Sequence, residues 1–155
     1  MRIGIGSDTH RFAPNRDFIL GGVKIEHTMG LLGHSDADAL AHAIIDALLG
    51  AAAMGDIGRL YPDTEYKYKN ISSMSLLEDT GHIITNAGYE IINIDSIIIL
   101  QAPRLAPYVD NMITNVAETL GLTRSQVSVK AKTNETMGFI GRGEGIEVRA
   151  IALIE

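Results

Sequence analysis

The sequence predicts a single α+β domain: a mixed β-sheet with helices packed on one face, and a small β-hairpin beside it. Three observations predict this class. Segments with period-two hydrophobicity stand near both ends of the chain, segments with helical spacing lie between them, and no linker, repeat or low-complexity stretch divides the 155 residues. A chain of this length with 46% hydrophobic residues can bury one substantial core. Residues 1–155 are therefore expected to form one domain.

The first predicted strand runs from Arg2 to His10, where isoleucines alternate with small or polar residues. Side chains two positions apart share a face of a strand, so Asp8 and His10 project together near its end. Two short apolar runs within residues 18–25 then flank a pair of glycines. Because a two-residue turn between strands prefers positive φ angles, which glycine adopts readily, this pattern predicts a β-hairpin.

The first helix is predicted between residues 35 and 53, where apolar residues recur at helical spacing. Ser35 is its predicted N-cap, with carboxylates in the first turn, and the helix is expected to end near Ala53. Asp38, His42 and Asp46 lie four residues apart and form one polar column on this otherwise apolar helix.

The isoleucine-rich segment Tyr89–Gln101 predicts the central strand of the sheet, because a strand that is covered on both faces is apolar throughout. Residues 56–70 lack a period and contain Pro62, which predicts a loop. The glycine-rich residues 138–145 predict a tight bend of the backbone. The other predicted elements are a helix from about Ser73 to Ala87, a helix with Pro107 in its first turn that ends at Leu120, and strands over residues 127–133 and 146–154.

Composition excludes several classes of function. The chain has a formal net charge of -6, so no overall positive field attracts nucleic acid or an anionic membrane. Its apolar runs are too short to span a membrane, and it starts on a strand-like segment instead of a leader, so a cytoplasmic protein of bacterial type is expected, with a processed plastid form as the alternative. The absence of cysteine excludes disulfides and thiolate chemistry, and a metal ion would have to bind histidine and carboxylate side chains.

Asp8, His10 and His42 are the strongest candidates for a metal site. One carboxylate and two imidazoles make a ligand set typical of catalytic zinc, which keeps a fourth position open for substrate or water. The alternative is that Asp8 and His10 merely face solvent and that His42 is a hydrogen-bonded core histidine. Asp46, one turn beyond His42, either orients that imidazole or lies on the helix surface.

Two further segments carry groups that can meet phosphate. His34 precedes the predicted helix start, where backbone N–H groups favour anions, and the alternative is a plain surface histidine. Lys132 and Thr133 lead from a strand toward the glycine-rich segment and can hold phosphate. Glu135 is a hard oxygen ligand suited to Mg²⁺. The glycines themselves form no dinucleotide-binding fingerprint, because a strand and not a helix follows them.

These motifs stand in one order with several others, and they are specific in combination although none is specific alone. In chain order they are Gly6-x-Asp8-x-His10, Leu32-x-His34-Ser35-Asp36-x-Asp38, His42, Gly55-Asp56-Ile57-Gly58, Pro62-Asp63-Thr64, Gln101-Ala102-Pro103, Lys130-Ala131 through Glu135, and Gly141-Arg142-Gly143-Glu144-Gly145. From residue 1 to its end, the chain closely resembles the 2-C-methyl-D-erythritol 2,4-cyclodiphosphate synthase family, without a large insertion.

The resemblance implies a homotrimeric enzyme with active sites between subunits, a phosphorus–oxygen lyase of the non-mevalonate isoprenoid pathway. Its substrate would be 4-diphosphocytidyl-2-C-methyl-D-erythritol 2-phosphate. The 2-phosphate would attack the β-phosphorus, release CMP and close 2-C-methyl-D-erythritol 2,4-cyclodiphosphate. The alternatives are a zinc-dependent phosphohydrolase, in which the metal activates water, and a non-catalytic trimer that binds an isoprenoid diphosphate.

The resemblance also implies roles for individual residues. The implied metal ligands are Asp8, His10 and His42 for zinc and Glu135 for Mg²⁺ or Mn²⁺, and the implied transition-state stabilisers are His34 and Thr133. The implied substrate-binding residues are Asp8, His10, His34, Ser35, Asp56, Ile57, Gly58, Tyr61, Pro62, Asp63, Thr64 and Glu65. The implied nucleotide-binding residues are Leu100, Gln101, Ala102, Pro103, Arg104, Leu105, Ala106, Lys132, Thr133, Asn134, Glu135, Phe139 and Arg142.

By the same resemblance, Phe139, Arg142 and Glu144 would lie near the trimer axis, where members of the family can hold an isoprenoid diphosphate. The alternative is an intersubunit salt bridge between Arg142 and Glu144. Arg104 stands where many members carry Lys, and Lys132-Thr133-Asn134 replaces a frequent run of three Thr. Both departures keep hydrogen-bond donors at these positions.

Overall fold

A five-stranded mixed β-sheet with helices on one face forms the frame of the protein, and a two-stranded hairpin lies apart from the sheet. This computed structural model describes residues 1–155 and confirms the predicted single α+β domain. No helix in it combines the length and the apolar character that crossing a bilayer requires. The elements in chain order are β1 (Arg2–Ala13), β2 (Phe18–Leu20), β3 (Val23–Ile25), β4 (Gly30–Leu31), α1 (Ala39–Ala52), α2 (Ile57–Leu60), α3 (Ser73–Asn86), β5 (Ile91–Ile99), α4 (Val109–Leu120), β6 (Val127–Lys132), α5 (Gly138–Gly141) and β7 (Gly145–Ile154), with 3₁₀ turns at Tyr66–Tyr68 and Arg124–Gln126.

β7 is the centre of the sheet, whose strand order is β4-β1-β7-β5-β6. It pairs antiparallel with both β1 and β5, and β6 joins the other side of β5 in parallel. β1, β5 and β6 therefore run in the same direction and end on the same side of the sheet. In register, Asp8 lies opposite Val148, which lies opposite Ile98. The segments with predicted functional residues thus meet at one end of the fold.

Helix α1 packs directly on β1 and β7 and is almost completely buried. Gly4 and Gly6 allow a very close contact: a Cβ atom at Gly6 would lie 2.1 Å from the carbonyl oxygen of Ala43, and one at Gly4 would lie 2.0 Å from that of Ala47. A side chain at either position would push helix and strand apart. Asp8 is two residues beyond Gly6, so it shares this face of β1 and is directed toward the helix.

The predicted hairpin is confirmed as β2 and β3, joined by glycines with positive φ angles of 56° and 69°. Asp38 ties this hairpin to helix α1. Its carboxylate accepts hydrogen bonds from the N–H groups of Gly21 at 2.9 Å and Gly22 at 2.7 Å, and from those of Leu40 and Ala41 in the first helical turn. Burial raises the pKa of this fully buried carboxyl group, and the backbone N–H donors oppose that rise.

Helix α1 begins at Ala39 with Asp38 as its N-cap, so the predicted cap at Ser35 is wrong. Asp38 takes the cap position because its carboxylate reaches two N–H groups of the first turn. The hydroxyl of Ser35 is engaged elsewhere, 3.2 Å from His42 Nε2. The predicted carboxylates precede the helix, whose first turn holds no acidic residue, and the end of the helix at Ala53 agrees with the prediction.

β5 lies between β7 and β6, but the prediction that it is the central strand and covered on both faces is wrong. Its side chains largely alternate between buried and half-exposed, because helices cover only one face of the sheet. The isoleucines of the other face, such as Ile97, lie on the open side. A continuous run of isoleucine therefore reflects a second apolar surface and not a second layer of helices.

Three local predictions also differ from the structure. α4 begins at Val109, and Pro107 precedes it, because the first helical hydrogen bond runs from the N–H of Met112 to the carbonyl of Tyr108. The segment 56–70 is more than a loop, since it contains α2 and a 3₁₀ turn. The glycine-rich segment does make a tight turn at residues 142–143, where Gly143 has a positive φ of 72°, but it also contains the one-turn helix α5 before that turn.

The face of the sheet opposite the helices carries exposed apolar side chains beside the ion pairs Lys130–Asp95 and Arg149–Glu147. Ile3 and Ile5 on β1 are 70% and 71% exposed, and Ile151 on β7 is 42% exposed. Ile5 and Ile151 are register partners, so their side chains are neighbours on this face. We call Ile3, Ile5 and Ile151 the open-face patch.

Candidate active site

Asp8, His10 and His42 come together where β1 passes the first turn of helix α1. His10 Nδ1 lies 2.8 Å and His42 Nδ1 lies 3.2 Å from the same carboxylate oxygen of Asp8. The two imidazole rings are 5.4 Å apart, and one ligand atom from each of the three side chains lies within 4.8 Å of the others. The alternation along β1 and the position of His42 on α1 thus assemble the cluster that the sequence predicts.

The donor atoms of this cluster fit a metal ion. His10 Nδ1 is buried and makes no hydrogen bond of acceptable geometry, although the Asp8 carboxylate is near. A buried polar atom without a partner is costly, so a ligand for it is expected. One carboxylate and two imidazoles match zinc with one position left open.

Electrostatics favour the charged form of the carboxylate. Burial raises the pKa of Asp8, but the two adjacent imidazoles of His10 and His42 together outweigh burial and lower that pKa to about 2. For His42, burial lowers the pKa of the imidazole, while the adjacent Asp8 carboxylate raises it, and the net shift is upward. The Asp8 carboxylate therefore holds a negative charge that a bound cation can neutralise.

The opposite side of the His42 ring is hydrogen-bonded within the protein. Its Nε2 lies 2.8 Å from Ser73 Oγ, at the start of α3, and 3.2 Å from Ser35 Oγ. Ser73 escaped prediction as a site residue because it is 31 residues from His42 along the chain and stands at a predicted helix start. Only the packing of α3 against α1 brings it to the imidazole.

Asp46 has a role that neither of the two sequence-based alternatives included. Its Oδ1 accepts a hydrogen bond of 2.8 Å from the N–H of Ile57, the first residue of α2. Burial raises the pKa of this carboxyl group. Instead of orienting His42, Asp46 holds the segment that carries Ile57 and Gly58 against helix α1.

A cavity of about 340 Å³ adjoins the cluster, and His42 belongs to both. Its lining residues are His34, Ser35, His42, Ile57, Gly58, Tyr61, Asp63, Tyr68 and Leu76. Apart from the metal-ligand candidate His42, only Tyr68 and Leu76 are absent from the predicted substrate-binding set. Their ordinary aromatic and aliphatic character carried no chemical signal in the sequence.

His34 differs from the other lining residues because its Nε2 is buried and has no hydrogen-bond partner. Its backbone is held in place, since the N–H of Asn70 donates to the His34 carbonyl at 3.0 Å. A buried nitrogen of this kind is available to a ligand oxygen. The alternative of a plain surface histidine does not fit this burial.

The remaining predicted substrate-binding residues do not line the cavity; they are Asp8, His10, Asp56, Pro62, Thr64 and Glu65. Asp56 is the N-cap of α2 and accepts a hydrogen bond of 2.9 Å from the N–H of Arg59. Glu65 forms an ion pair of 2.8 Å with Lys67. Asp8 and His10 reach the cavity only through their contact with His42.

Tyr61 anchors the wall of the cavity to helix α3. Its hydroxyl donates a hydrogen bond of 2.8 Å to Asp79 and lies 3.0 Å from Thr80 Oγ1. Its ring meets that of Tyr68 edge-on at a centroid distance of 5.5 Å. Burial raises the pKa of the Tyr61 phenol, which therefore keeps its proton for this hydrogen bond.

A second cavity, of about 440 Å³, lies where β5 and β6 end. Its lining residues are Leu100, Gln101, Pro103, Arg104, Leu105, Ala106, Val109, Ala131, Lys132 and Thr133. The parallel pairing of β5 and β6, which aligns Ile99 with Lys132, brings the two predicted nucleotide-binding segments together. Val109 and Ala131 are additions to the predicted set, and Ala102, Asn134, Glu135, Phe139 and Arg142 do not line this cavity.

Glu135 follows β6 in a strained loop. Thr133 Oγ1 donates a hydrogen bond of 2.7 Å to Glu135, and the N–H of Thr136 donates one of 3.1 Å to the side chain of Gln101. Glu135 and Thr136 have positive φ angles of 49° and 63°, a conformation that costs residues with a Cβ about 1 kcal/mol or more each. Gly141 permits this fold, because a Cβ there would lie 2.0 Å from the Thr136 carbonyl carbon.

Arg142 and Glu144 form a salt bridge within one chain, whereas the alternative considered from the sequence was a salt bridge between subunits. Arg142 Nε lies 2.6 Å from Glu144 Oε1, and both side chains are exposed. Only Gly143, with a positive φ of 72°, separates them, and this turn brings the two side chains to the same side. Phe139 lies in a third cavity of about 400 Å³, which is lined by Thr9, His10, Arg11, Phe139, Glu144 and Gly145.

Residues 1–155, the whole chain, match the profile of the YgbB family. The chain belongs to the YgbB family. A relative from Clostridium novyi (strain NT), named 2-C-methyl-D-erythritol 2,4-cyclodiphosphate synthase, is 55% identical over 99% of this chain and 98% of its own length. The family resemblance predicted from the motifs is thereby confirmed.

Solved structures share the fold of this YgbB family member. The bifunctional IspDF from Campylobacter jejuni is 47% identical and superposes with a TM-score of 0.95 over 99% of this chain and 42% of that chain. A 2C-methyl-D-erythritol-2,4-cyclodiphosphate synthase in its CDP-bound form is 30% identical and superposes with a TM-score of 0.91 over 99% of this chain and 100% of that chain. The fold of this chain is thus shared by a protein whose structure was solved with CDP bound.

Proposed function

We propose that this protein is a 2-C-methyl-D-erythritol 2,4-cyclodiphosphate synthase. It converts 4-diphosphocytidyl-2-C-methyl-D-erythritol 2-phosphate to 2-C-methyl-D-erythritol 2,4-cyclodiphosphate, as a phosphorus–oxygen lyase of the non-mevalonate isoprenoid pathway. One observation carries the proposal. In a member of the YgbB family, the His42 side chain belongs both to a three-residue metal-ligand cluster and to the wall of a cavity lined by candidate substrate-binding residues.

The reaction needs no nucleophile from the protein. An oxygen of the 2-phosphate forms a bond to the β-phosphorus, the bond from that phosphorus to the bridging oxygen breaks, and CMP leaves with the bridging oxygen. The protein has to fold the substrate back on itself and to offset the repulsion among its phosphates. The chain has no cysteine that could act as a nucleophile. Ser35 and Ser73, the serines that contact His42, also contact each other. The reaction requires neither of these serines as a nucleophile.

Two cation sites supply positive charge in this proposal. Asp8, His10 and His42 would hold Zn²⁺, and Glu135 would hold Mg²⁺ or Mn²⁺, in keeping with the mixed nitrogen and oxygen donors of the first set and the hard oxygen donor of the second. When bound, these ions withdraw electron density from phosphoryl oxygens. The acidic character of the chain, with its formal net charge of -6, is thus compatible with a substrate that is itself an anion.

His34 and Thr133 act on the transition state by donating hydrogen bonds, and Thr133 has to release its hydrogen bond to Glu135 before it can do so. The buried Nε2 of His34 has no partner in the chain, so it is free to donate to a phosphoryl oxygen in the cavity that His34 lines. Thr133 lies beside the cation of Lys132 in the second cavity. Asp56 and Gly58 hold the erythritol hydroxyls, as the resemblance implies, and Asp46 keeps that segment in place.

The cytidyl half of the substrate binds in the second cavity, where apolar side chains and the cations Arg104 and Lys132 line the walls. A solved relative with the same fold binds CDP. The second cavity shares no lining residue with the cavity beside His42. This separation supports active sites that form between subunits, each cavity coming from a different copy.

A homotrimer accounts for the open-face patch. Ile3, Ile5 and Ile151 form an apolar surface that an isolated chain would leave in water. Copies related by a closed rotational symmetry bury such a surface against one another, and the resemblance implies that there are three. Assembly of three copies would then both bury the open-face patch and form the active sites between subunits.

Ile5→Asp should convert the trimer to monomers and remove most of the activity. A carboxylate on an apolar contact is costly to bury, whereas Ile5 is 71% exposed in the single chain and adds little to its core. Sedimentation equilibrium should give three times the 16.7 kDa chain mass for the wild type and one chain mass for the variant. Met54→Asp, at a position 40% exposed beyond the end of α1, is the control and should stay trimeric. A trimeric Ile5→Asp protein would contradict an interface at this patch.

An isoprenoid diphosphate on the trimer axis is a further part of the proposal. The third cavity, with the ring of Phe139 and the nearby Arg11, offers both an apolar and a cationic wall. Arg142 is already paired with Glu144, so a diphosphate has to compete with that carboxylate. Binding of such a ligand therefore depends on opening this ion pair.

Incubation of the protein with the cytidyl substrate and Mg²⁺ tests the proposed function. The expected products are CMP and the cyclic diphosphate, identified by mass. A linear bisphosphate in place of the cyclic product would indicate a zinc-dependent phosphohydrolase. Tight binding of an isoprenoid diphosphate without any release of CMP would indicate a non-catalytic binding trimer.

A further inference from the structure

His42 is the last of three hydrogen-bonded side chains, and the first of them is the carboxylate of Asp36. Ser73 Oγ donates to Asp36 Oδ1 at 2.5 Å, and His42 Nε2 lies 2.8 Å from the same Ser73 oxygen. Ser73 is completely buried, and its N–H donates a second hydrogen bond of 3.1 Å to Asp36. The order of the groups is therefore carboxylate, hydroxyl, imidazole.

The number of protons that these three side chains can share decides whether Nε2 of His42 carries one. A serine hydroxyl has one proton to donate, and an ionised carboxylate can only accept. Because the Ser73 proton goes to Asp36, the contact between Ser73 Oγ and His42 Nε2 requires the proton to sit on Nε2. With a lone pair on Nε2, two acceptors would face each other at 2.8 Å.

Ser35 does not change this assignment. Its Oγ accepts a hydrogen bond of 3.2 Å from the N–H of Ala37, and it lies 3.3 Å from Ser73 Oγ and 3.2 Å from His42 Nε2. The Ser35 proton can go to Ser73 Oγ, which still has a lone pair available. The N–H at Nε2 of His42 can then donate to the oxygen of Ser73, of Ser35, or of both.

When Nε2 carries the proton, Nδ1 is the nitrogen whose lone pair is available to a metal ion. In His42, Nδ1 faces Asp8, at 3.2 Å, inside the metal-ligand cluster, so without a metal ion Nδ1 can also carry a proton toward that carboxylate. We propose that Asp36 and Ser73 are positioning residues: Ser73, held by Asp36, accepts the Nε2–H of His42, and this contact directs Nδ1 at the metal site. The consequence for metal affinity rests on the proposed zinc site, whereas the proton on Nε2 follows from contacts within the chain.

The fold holds this hydrogen-bonded chain rigidly. Ser73 is the first residue of α3, and the N-cap residue Ser72 makes no side-chain hydrogen bond. Asp36 does the capping from another segment: its carboxylate accepts from the N–H of Ser73, and its own N–H donates to the carbonyl of Ile71 at 3.1 Å. One carboxylate thus fixes both the start of a helix and, through Ser73, the orientation of His42.

Nitrogen-15 NMR of the histidine rings measures directly which ring nitrogens carry a proton. In the full-length wild-type protein, with zinc removed by a chelator, we expect Nε2 of His42 to carry a proton, whether or not Nδ1 also carries one toward Asp8. In Asp36→Asn, the new amide can donate to Ser73 Oγ, so the Ser73 proton turns to His42 and the fraction of rings protonated at Nε2 falls. A wild-type His42 without a proton on Nε2 would overturn the proposal, whether or not the protein binds zinc.

Zinc affinity, measured by competition with a chromophoric chelator, tests the consequence. Ser73→Ala and Asp36→Asn should weaken binding of zinc alone by about 10- to 100-fold, the range typical of groups behind a metal-ligating histidine. Ser73→Thr keeps the hydroxyl and should retain most of the affinity. Ser72→Ala removes an exposed neighbouring hydroxyl without a capping hydrogen bond and should leave the affinity unchanged.

The outcomes separate this proposal from the proposed metal site. Unchanged zinc affinity in Ser73→Ala, in a wild-type protein that does bind zinc, would overturn the positioning role. A wild-type protein without zinc affinity would overturn the metal site, and the NMR measurement would then decide on the Nε2 proton alone. A loss of affinity in Ser73→Ala that Ser73→Thr reverses would support the positioning role against general damage to α3.

Discussion

His42→Ala is expected to lose its zinc and to lower kcat/KM by about 10³-fold or more, while the fold is retained. A metal ion that draws charge from a phosphoryl group contributes several kcal/mol, and each 1.4 kcal/mol corresponds to a tenfold change in rate. Without the His42 imidazole, Asp8 and His10 are the only two candidate ligands left in the cluster. The apolar residues of α1 that form the core are untouched by this substitution.

Zinc content by elemental mass spectrometry and the rate of CMP release are the two measurements for this variant. His82→Ala is the matched control, because that histidine is exposed on α3 and belongs to no cluster of candidate ligands. The control should keep full zinc and full activity. One zinc ion per chain in His42→Ala would remove His42 from the ligand set.

Gly6→Ala is expected to destabilise the protein by about 3 kcal/mol and to impair zinc binding as well, although glycine 6 is not a ligand. The added Cβ would lie 2.1 Å from the carbonyl oxygen of Ala43 and 2.7 Å from the N of Ala47, both backbone atoms that cannot rotate away. Helix α1 therefore has to move off β1. Because Asp8 lies on β1 and His42 lies on α1, this movement separates the metal ligands.

Chemical denaturation and zinc competition measure the two effects of Gly6→Ala. Gly50→Ala is a control within α1, since a Cβ at that exposed position meets only the carbonyl oxygen of Ile5, at 3.8 Å. Alanine is a better helix former than glycine by roughly 0.5–1 kcal/mol, so the control should be as stable as the wild type or more stable. A Gly6→Ala protein with wild-type stability and zinc affinity would show that β1 and α1 can move apart without consequence.

The cluster of candidate metal ligands can be predicted from the sequence because its geometry follows from short-range rules. Alternation along a strand puts Asp8 and His10 on one face, and an amphipathic helix with a single histidine supplies His42. Ser73 was not within reach, since its position depends on how α3 packs against α1. A serine before an apolar helical pattern predicts a helix cap. The residues next to Ser73 in the sequence do not indicate that its hydroxyl contacts a histidine.

The errors in the predicted fold have physical causes of the same kind. Ser35 and Asp38 both suit an N-cap, and what decides between them is the long-range pairing of Asp38 with Gly21 and Gly22. The isoleucines of β5 predict a strand covered on both faces, because a single sequence does not distinguish burial under a helix from an apolar surface left open. The predicted nucleotide-binding segments 100–106 and 132–133 line one cavity, which the parallel pairing of their strands explains.

The carboxylate of Asp38 also determines how the protein opens. Its four hydrogen bonds reach the turn of the hairpin and the first turn of α1, so neither can detach without leaving buried N–H donors of the other unpaired. The hairpin and the amino-terminal end of the helix therefore form one cooperative unit of local unfolding. His42 stands in the first turn of that helix, and its place beside Asp8 lasts only as long as this unit stays closed.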